Sequence, residues 1–158
     1  MEVATVHQIK KELETLDHKN LLAICLRLAK FKKENKELLT YMLFEADDQE
    51  AFCQQVKAEL TSQVTAANRA NVYWTKKSIR KTIKYLDKIV RISASKETEI
   101  ELRTHFVRAM KEQHIPMHRS RVMANMFDRQ VKKIESALEK IHEDLQYDYR
   151  EELHEILA

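Results

Sequence analysis

No glycine occurs among the 158 residues, and proline occurs once, at Pro116. At an average usage near 7%, about 11 glycines are expected, and drawing none has a chance probability on the order of 10⁻⁵. Glycine takes left-handed backbone without a steric penalty and lets the chain approach a ligand closely. Its absence excludes a Gly-rich phosphate loop, a dinucleotide fingerprint, a Gly-flanked nucleophile elbow and an EF-hand loop. Hairpins that turn on Asn-Gly or Gly-Gly are excluded as well. What remains is helix joined to helix. The expected fold class is all-α, with seven to eight helices and short connections, in a single domain over residues 1–158. A compact bundle and a short α-solenoid-like array of helical hairpins both satisfy this pattern.

Hydrophobic residues make up 44% of the chain and charged residues 34%, which suits a folded helical domain rather than a disordered one. No apolar run approaches the roughly 18 residues of a membrane span. The densest, Leu21 to Ala29, is interrupted by Arg27. Met1-Glu2-Val3-Ala4 lacks the basic-then-apolar order of a secretory signal. Cys25 and Cys53 sit in helical patterns among apolar neighbours, and both read as buried structural thiols. A cytoplasmic location without membrane association is the expectation.

The helical period appears from the start. Val6, Ile9, Leu13 and Leu16 mark a first helix over Thr5–Leu16, and Asp17 is placed to cap a second that ends at Phe31. Lys32–Asn35 reads as a connection, and Lys36–Ala46 as a third helix. Asp47-Asp48-Gln49-Glu50 has the form of a capping box opening a fourth helix, which carries Phe52, Val56, Leu60 and Val64 to about Asn68. A fifth helix is expected over Val72–Ile92, and a sixth over Lys96–His114, capped by Ser95. Glu97 and Glu99 there complement the positive helix end. After the Pro116 loop, Ala124, Phe127, Val131, Ile134, Leu138, Ile141 and Leu145 form a heptad-like seam, expected to pack within the chain rather than against a second one. The tail either continues that helix or breaks near Gln146, then buries Tyr149, Leu153 and Ile156.

The net charge of +3 is segregated along the chain. Residues 69–96 hold nine basic groups and a single acid, Asp87, whereas residues 134–158 hold two basic and eight acidic groups. On the fifth helix, Ile83, Leu86 and Val90 lie within about 40 degrees of Ile79 at 100 degrees per residue. Lys77, Lys81, Lys84, Lys88 and Arg91 fall on the opposite side, at about 120–200 degrees, with Arg80 bordering them. A helix face stabilised on its own account mixes signs, because i,i+4 pairs of opposite charge help and like charges hurt. This same-sign face is the candidate binding site, comprising Lys77, Arg80, Lys81, Lys84, Lys88 and Arg91. Tyr73 and Trp74 precede it and can stack on bases or cover the core. Two arrangements are open: residues 134–158 neutralise the face, or it is exposed and continuous with Arg103, Arg108, Arg119 and Arg121.

Other constellations are weaker. His114 and His118 flank the proline turn with His105 upstream, but no cysteine or acid lies beside them to complete a four-ligand set. Two Glu-x-x-His matches, Glu139 with His142 and Glu151 with His154, are what chance gives in a chain this rich in glutamate. They stand 12 residues apart, about 18 Å on one helix, too far to share a metal pair. No metal or cofactor is expected. Met110, Met117, Met123 and Met126, around the turn, read as core filler.

Ile9-Lys10-Lys11-Glu12-Leu13, Leu16-Asp17, Leu21-Leu22, the run Lys30–Lys36 before Leu38-Leu39, and Arg91-Ile92-Ser93 followed by Lys96–Leu102 together resemble an uncharacterised family of small bacterial all-helical proteins. The resemblance covers about half of the chain. It implies a bacterial, cytoplasmic, helical protein and assigns no activity to any residue. The functional expectation is therefore a non-enzymatic helical module that binds a protein partner or itself. The alternative is a nucleic-acid-binding protein that uses the basic face of residues 76–91.

Overall fold

The computed structural model describes all 158 residues, which form eight α-helices and no strand. The chain divides into two compact units, Met1–Phe44 and Glu45–Ala158.

The first unit holds α1 (Val6–Glu14), α2 (His18–Phe31) and α3 (Lys33–Thr40), with a π-helical turn, Tyr41–Glu45, following α3. A capping box absent from the sequence reading opens α1. The Gln8 amide donates to Thr5 Oγ1 at 3.3 Å, and the Thr5 amide donates to Gln8 Oε1 at 2.8 Å. Asp17 precedes α2, but its carboxylate accepts from the Asn20 side chain instead of a backbone amide. The expected connection Lys32–Asn35 shrinks to Lys32 alone, because Lys33–Asn35 already belong to α3. Helix α2 packs on α3, and Asn35 Nδ2 donates to the Leu28 carbonyl at 2.9 Å across the corner. None of the three helices buries a residue. A unit of 44 residues stands near the size, about 40 residues, below which a chain rarely encloses a core of its own. Cys25 is consequently exposed, which corrects its expected burial.

The second unit is arranged around one helix. Helices α4 (Gln49–Thr65), α5 (Val72–Ser93), α7 (Arg121–Leu138) and α8 (Glu143–Leu157) all pack against α6 (Lys96–Glu112). Ten of the 17 residues of α6 are buried. Its apolar side chains point almost all round the axis, with Ile100 and Ala109 on opposite sides, as a helix enclosed by neighbours requires. Phe52, Val56, Leu60 and Val64 on α4, and Ile79 and Leu86 on α5, supply the facing core as their spacing predicts. Met110, Met123 and Met126 are buried in it too.

Caps explain most of the helix starts. The cap of α4 is Asp48, one residue beyond the expected Asp47, and it accepts from the Ala51 amide at 3.0 Å. Asn71 caps α5 through the Trp74 amide, and Ser95 caps α6 through the Thr98 amide. The helix ends show how a chain without glycine turns. Ala94 after α5 and His114 after α6 both take left-handed backbone, each at φ 51°. That conformation costs an L-residue about 1–2 kcal/mol. Around His114 the bonds Ile115 N–H to Met110 O and His114 N–H to Lys111 O form a Schellman motif, with Ile115 buried beside Met110. His114 is thus a helix terminator. The seam of α7 ends at Leu138, and the chain breaks at Glu139–His142 rather than near Gln146. Ile134 and Leu138 are core, whereas Leu145 lies beyond the break and is exposed. Leu153 is buried with Tyr149 and Ile156 packed alongside.

Candidate functional site

The basic face of α5 is exposed where it matters most for a ligand. Lys77, Arg80, Lys81, Lys84 and Arg91 are solvent-accessible, and Lys88 is half-buried. Opposite them Thr75, Ile79, Thr82 and Leu86 are buried. The face carries two adjoining grooves. The first, about 630 Å³, is lined by Asn68, Tyr73, Trp74, Lys77, Arg80, Lys81 and Lys84. The second, about 490 Å³, runs between α5 and α7 and is lined by Arg80, Lys84, Asp87, Asn125, Arg129 and Lys133, among others. Arg80 and Lys84 belong to both, so the cationic surface is continuous from the start of α5 into the α5–α7 valley. Arg129 and Lys133 were missed by the sequence reading. They lie about 45–50 positions downstream, and only the packing of α7 beside α5 brings them in.

No residue of the acidic tail, 134–158, lines either groove. Helix α8 packs on α6, and its Glu152 pairs with Arg108 at 2.6 Å. Lys57 pairs with Glu101 at 2.6 Å in the same polar cleft between α4, α6 and α8, a cleft that the sequence reading did not find. His105 lies in that cleft, held by Thr61 Oγ1 at 2.8 Å and the Lys57 carbonyl at 3.1 Å. Burial and the nearby Lys57 charge keep its pKa below the usual histidine value. Cys53, buried below, has its thiol pKa pushed up by burial and then by Glu101. Two ion pairs thus span the cleft, Lys57 with Glu101 and Arg108 with Glu152.

The expected continuity with Arg103, Arg108, Arg119 and Arg121 is corrected in its particulars. Arg103 is 3% exposed and anchors a buried network. Its Nε donates to Glu99 Oε1 at 3.0 Å, Nη1 to Gln130 Oε1 at 2.7 Å, and Nη2 to Asp87 Oδ1 at 2.8 Å. Lys133 also donates to Asp87 Oδ1 at 2.8 Å, and Lys96 donates to Glu99 Oε2 at 2.6 Å. Burial raises the pKa of Asp87, but hydrogen bonds from Lys133 and Arg103 outweigh it and hold the carboxyl below its usual range. Glu99 is lowered in the same way, by Lys96 and Arg103 against burial. Glu99 therefore has a larger role than complementing a helix end. Arg108 is taken up by Glu152, and Arg119 and Arg121 are exposed but line neither groove.

His105, His114 and His118 do not share a ligand set, and no group of three or more His, Cys, Asp and Glu side chains converges within reach of one metal ion. His142 Nδ1 accepts from the Asp144 amide at the start of α8. No helix is long and apolar enough to cross a membrane. No family model, curated protein or solved structure matches this chain.

Proposed function

We propose that this chain is a non-enzymatic binding protein whose ligand is a nucleic acid, held by its phosphates on the α5–α7 face. The observation that carries this reading is the continuity of the two grooves through Arg80 and Lys84, neither of them lined by a residue of the acidic tail. Like charges at i,i+3 and i,i+4 cost a helix a few tenths of a kcal/mol per pair, and bound phosphates offset that cost. Asp87 does not spoil the site, since Arg103 and Lys133 already occupy its carboxylate. The setting is the cytoplasm, where both thiols stay free.

The test is retention on DNA and RNA over a salt series. Wild-type affinity should fall steeply with salt, with a log–log slope of about 0.7–0.9 per neutralised phosphate. The variant Arg80→Glu/Lys81→Glu/Lys84→Glu should bind at least about 100-fold more weakly, and its slope should be shallower by roughly 2–3. Retention unchanged by this triple reversal overturns the reading.

A second reading, a protein partner or self-association through residues 1–44, is favoured by a separate observation. Leu22, Leu28, Phe31, Met42, Leu43 and Phe44 are exposed there, in a unit that buries nothing. Exposed apolar groups in such density mark interaction surfaces more often than bare solvent faces. Light scattering over a concentration series should report a mass that rises with concentration, and a constant monomer mass removes self-association.

A further inference from the structure

The first groove contains more than phosphate ligands. Tyr73 is 61% exposed and Trp74 41% exposed, although large aromatic rings usually contribute to cores. Their ring centroids lie 5.2 Å apart with the planes at 79°, so the two rings present π-faces in different directions. Lys77 Nζ sits 4.9 Å from the centre of the Trp74 ring. Along α5, Lys77, Lys81 and Lys84 follow Trp74 at three, seven and ten residues, which at 1.5 Å per residue is a cationic track of about 10 Å beginning one turn beyond the ring. Asn68, held beside Ser78 in the same groove, adds a side-chain amide.

We infer that the nucleic acid bound here is single-stranded, with an unpaired base stacked on Trp74 or Tyr73 and its backbone following Lys77, Lys81 and Lys84 towards Arg129. This rests on the basic-face reading above and goes beyond it in naming the ligand's form. A duplex hides the flat faces of its bases in its own stack and offers a protein only base edges and phosphates. Exposed rings inside a cationic groove therefore add little to duplex binding. A single strand presents every base as a π-surface, and stacking on an aromatic side chain contributes about 1–3 kcal/mol per base without demanding a sequence. The Lys77 ammonium lies over one face of the indole, so a base stacked on Trp74 takes the other face, and one nucleotide can engage both the ring and the charge.

Trp74 is the chain's one tryptophan, so its fluorescence reports the site alone. The probes are an oligothymidylate of about 12 nucleotides, within the 4–16 usual for single-strand sites, a hairpin duplex of matched charge, and inorganic polyphosphate. Oligothymidylate should quench Trp74 and bind more tightly than the duplex. Trp74→Ala should weaken oligothymidylate binding by about 5- to 150-fold, the equivalent of one stacked base, and leave polyphosphate binding unchanged. Trp74→Phe should recover part of the loss, which separates stacking from a folding defect. Equal binding of oligothymidylate by wild type and Trp74→Ala, with polyphosphate retained, overturns the stacking while the basic-face reading stands. Duplex bound as tightly as the single strand overturns the inference in the same manner. Loss of all three probes from the wild type overturns both.

Discussion

Arg103→Met should unfold the second unit far more easily than a typical substitution, with a loss of about 3–5 kcal/mol. The residue sits at the centre of α6, 3% exposed, and joins α5 through Asp87 to α7 through Gln130. Removing the guanidinium leaves Glu99 buried with only Lys96 to compensate it. An uncompensated buried charge is costly, whereas replacing a whole buried pair by well-packed apolar groups is close to neutral. The double variant Glu99→Met/Arg103→Met should therefore regain most of what the single variant loses. Urea titration measures both, and a loss under about 1 kcal/mol for Arg103→Met would contradict the role given to the network. Acid acts on the same groups. Asp87 and Glu99 have pKa values below the unfolded range, so the stability they add is complete above that range. It is lost as pH falls below about 4, when the folded carboxylates take up protons. In Arg103→Met the decline on the acid side should be shallower.

Phe106→Ala should cost about 3–5 kcal/mol, the sum of lost apolar transfer and the cavity left behind. Phe106 is completely buried in α6, within a ring of four packed helices that cannot close over the gap. Against a total of about 5–15 kcal/mol for a domain, that loss moves the urea midpoint by roughly 2 M. Leu28→Ala is the control. It removes an equally apolar side chain from α2, but one that is half exposed, and should change stability by no more than about 0.5 kcal/mol. Similar losses from the two substitutions would mean that the α1–α3 unit has a core of its own.

The features that the sequence made legible share one property, which is locality. The apolar spacing of Phe52, Val56, Leu60 and Val64, and the caps Asn71 and Ser95, act within one helical turn and are read directly. Where the reading slipped, a local competitor won. At Asp47-Asp48 two equivalent caps compete, and the second is used. At Thr5 the box ends in glutamine instead of glutamate, and it passed unnoticed. At Lys32–Asn35 the polar run reads as a connection, but lysine and glutamate are good helix formers, and Lys33–Asn35 are helical.

The candidate site was half legible for the same reason. One helix displays Lys77, Arg80, Lys81 and Lys84 to any reader of a helical wheel. The Arg129 that extends the surface is brought in by the packing of α7 beside α5, and Arg103 and Lys133 are drawn into pairs with residues 16 to 46 positions away.

The absence of glycine by itself determined an all-helical chain and moved the binding options from loops to helix faces, because backbone hydrogen bonding within a helix closes over four residues. It did not forbid left-handed helix ends, which Ala94 and His114 supply at a cost in strain. Only the tertiary structure decided that α6 lies at the centre, that Glu152 of α8 pairs with Arg108, and that Lys77, Arg80, Lys81 and Lys84 on α5 stay exposed. Burial and charge pairing depend on which helices meet, and that depends on the summed fit of distant side chains rather than on any single segment.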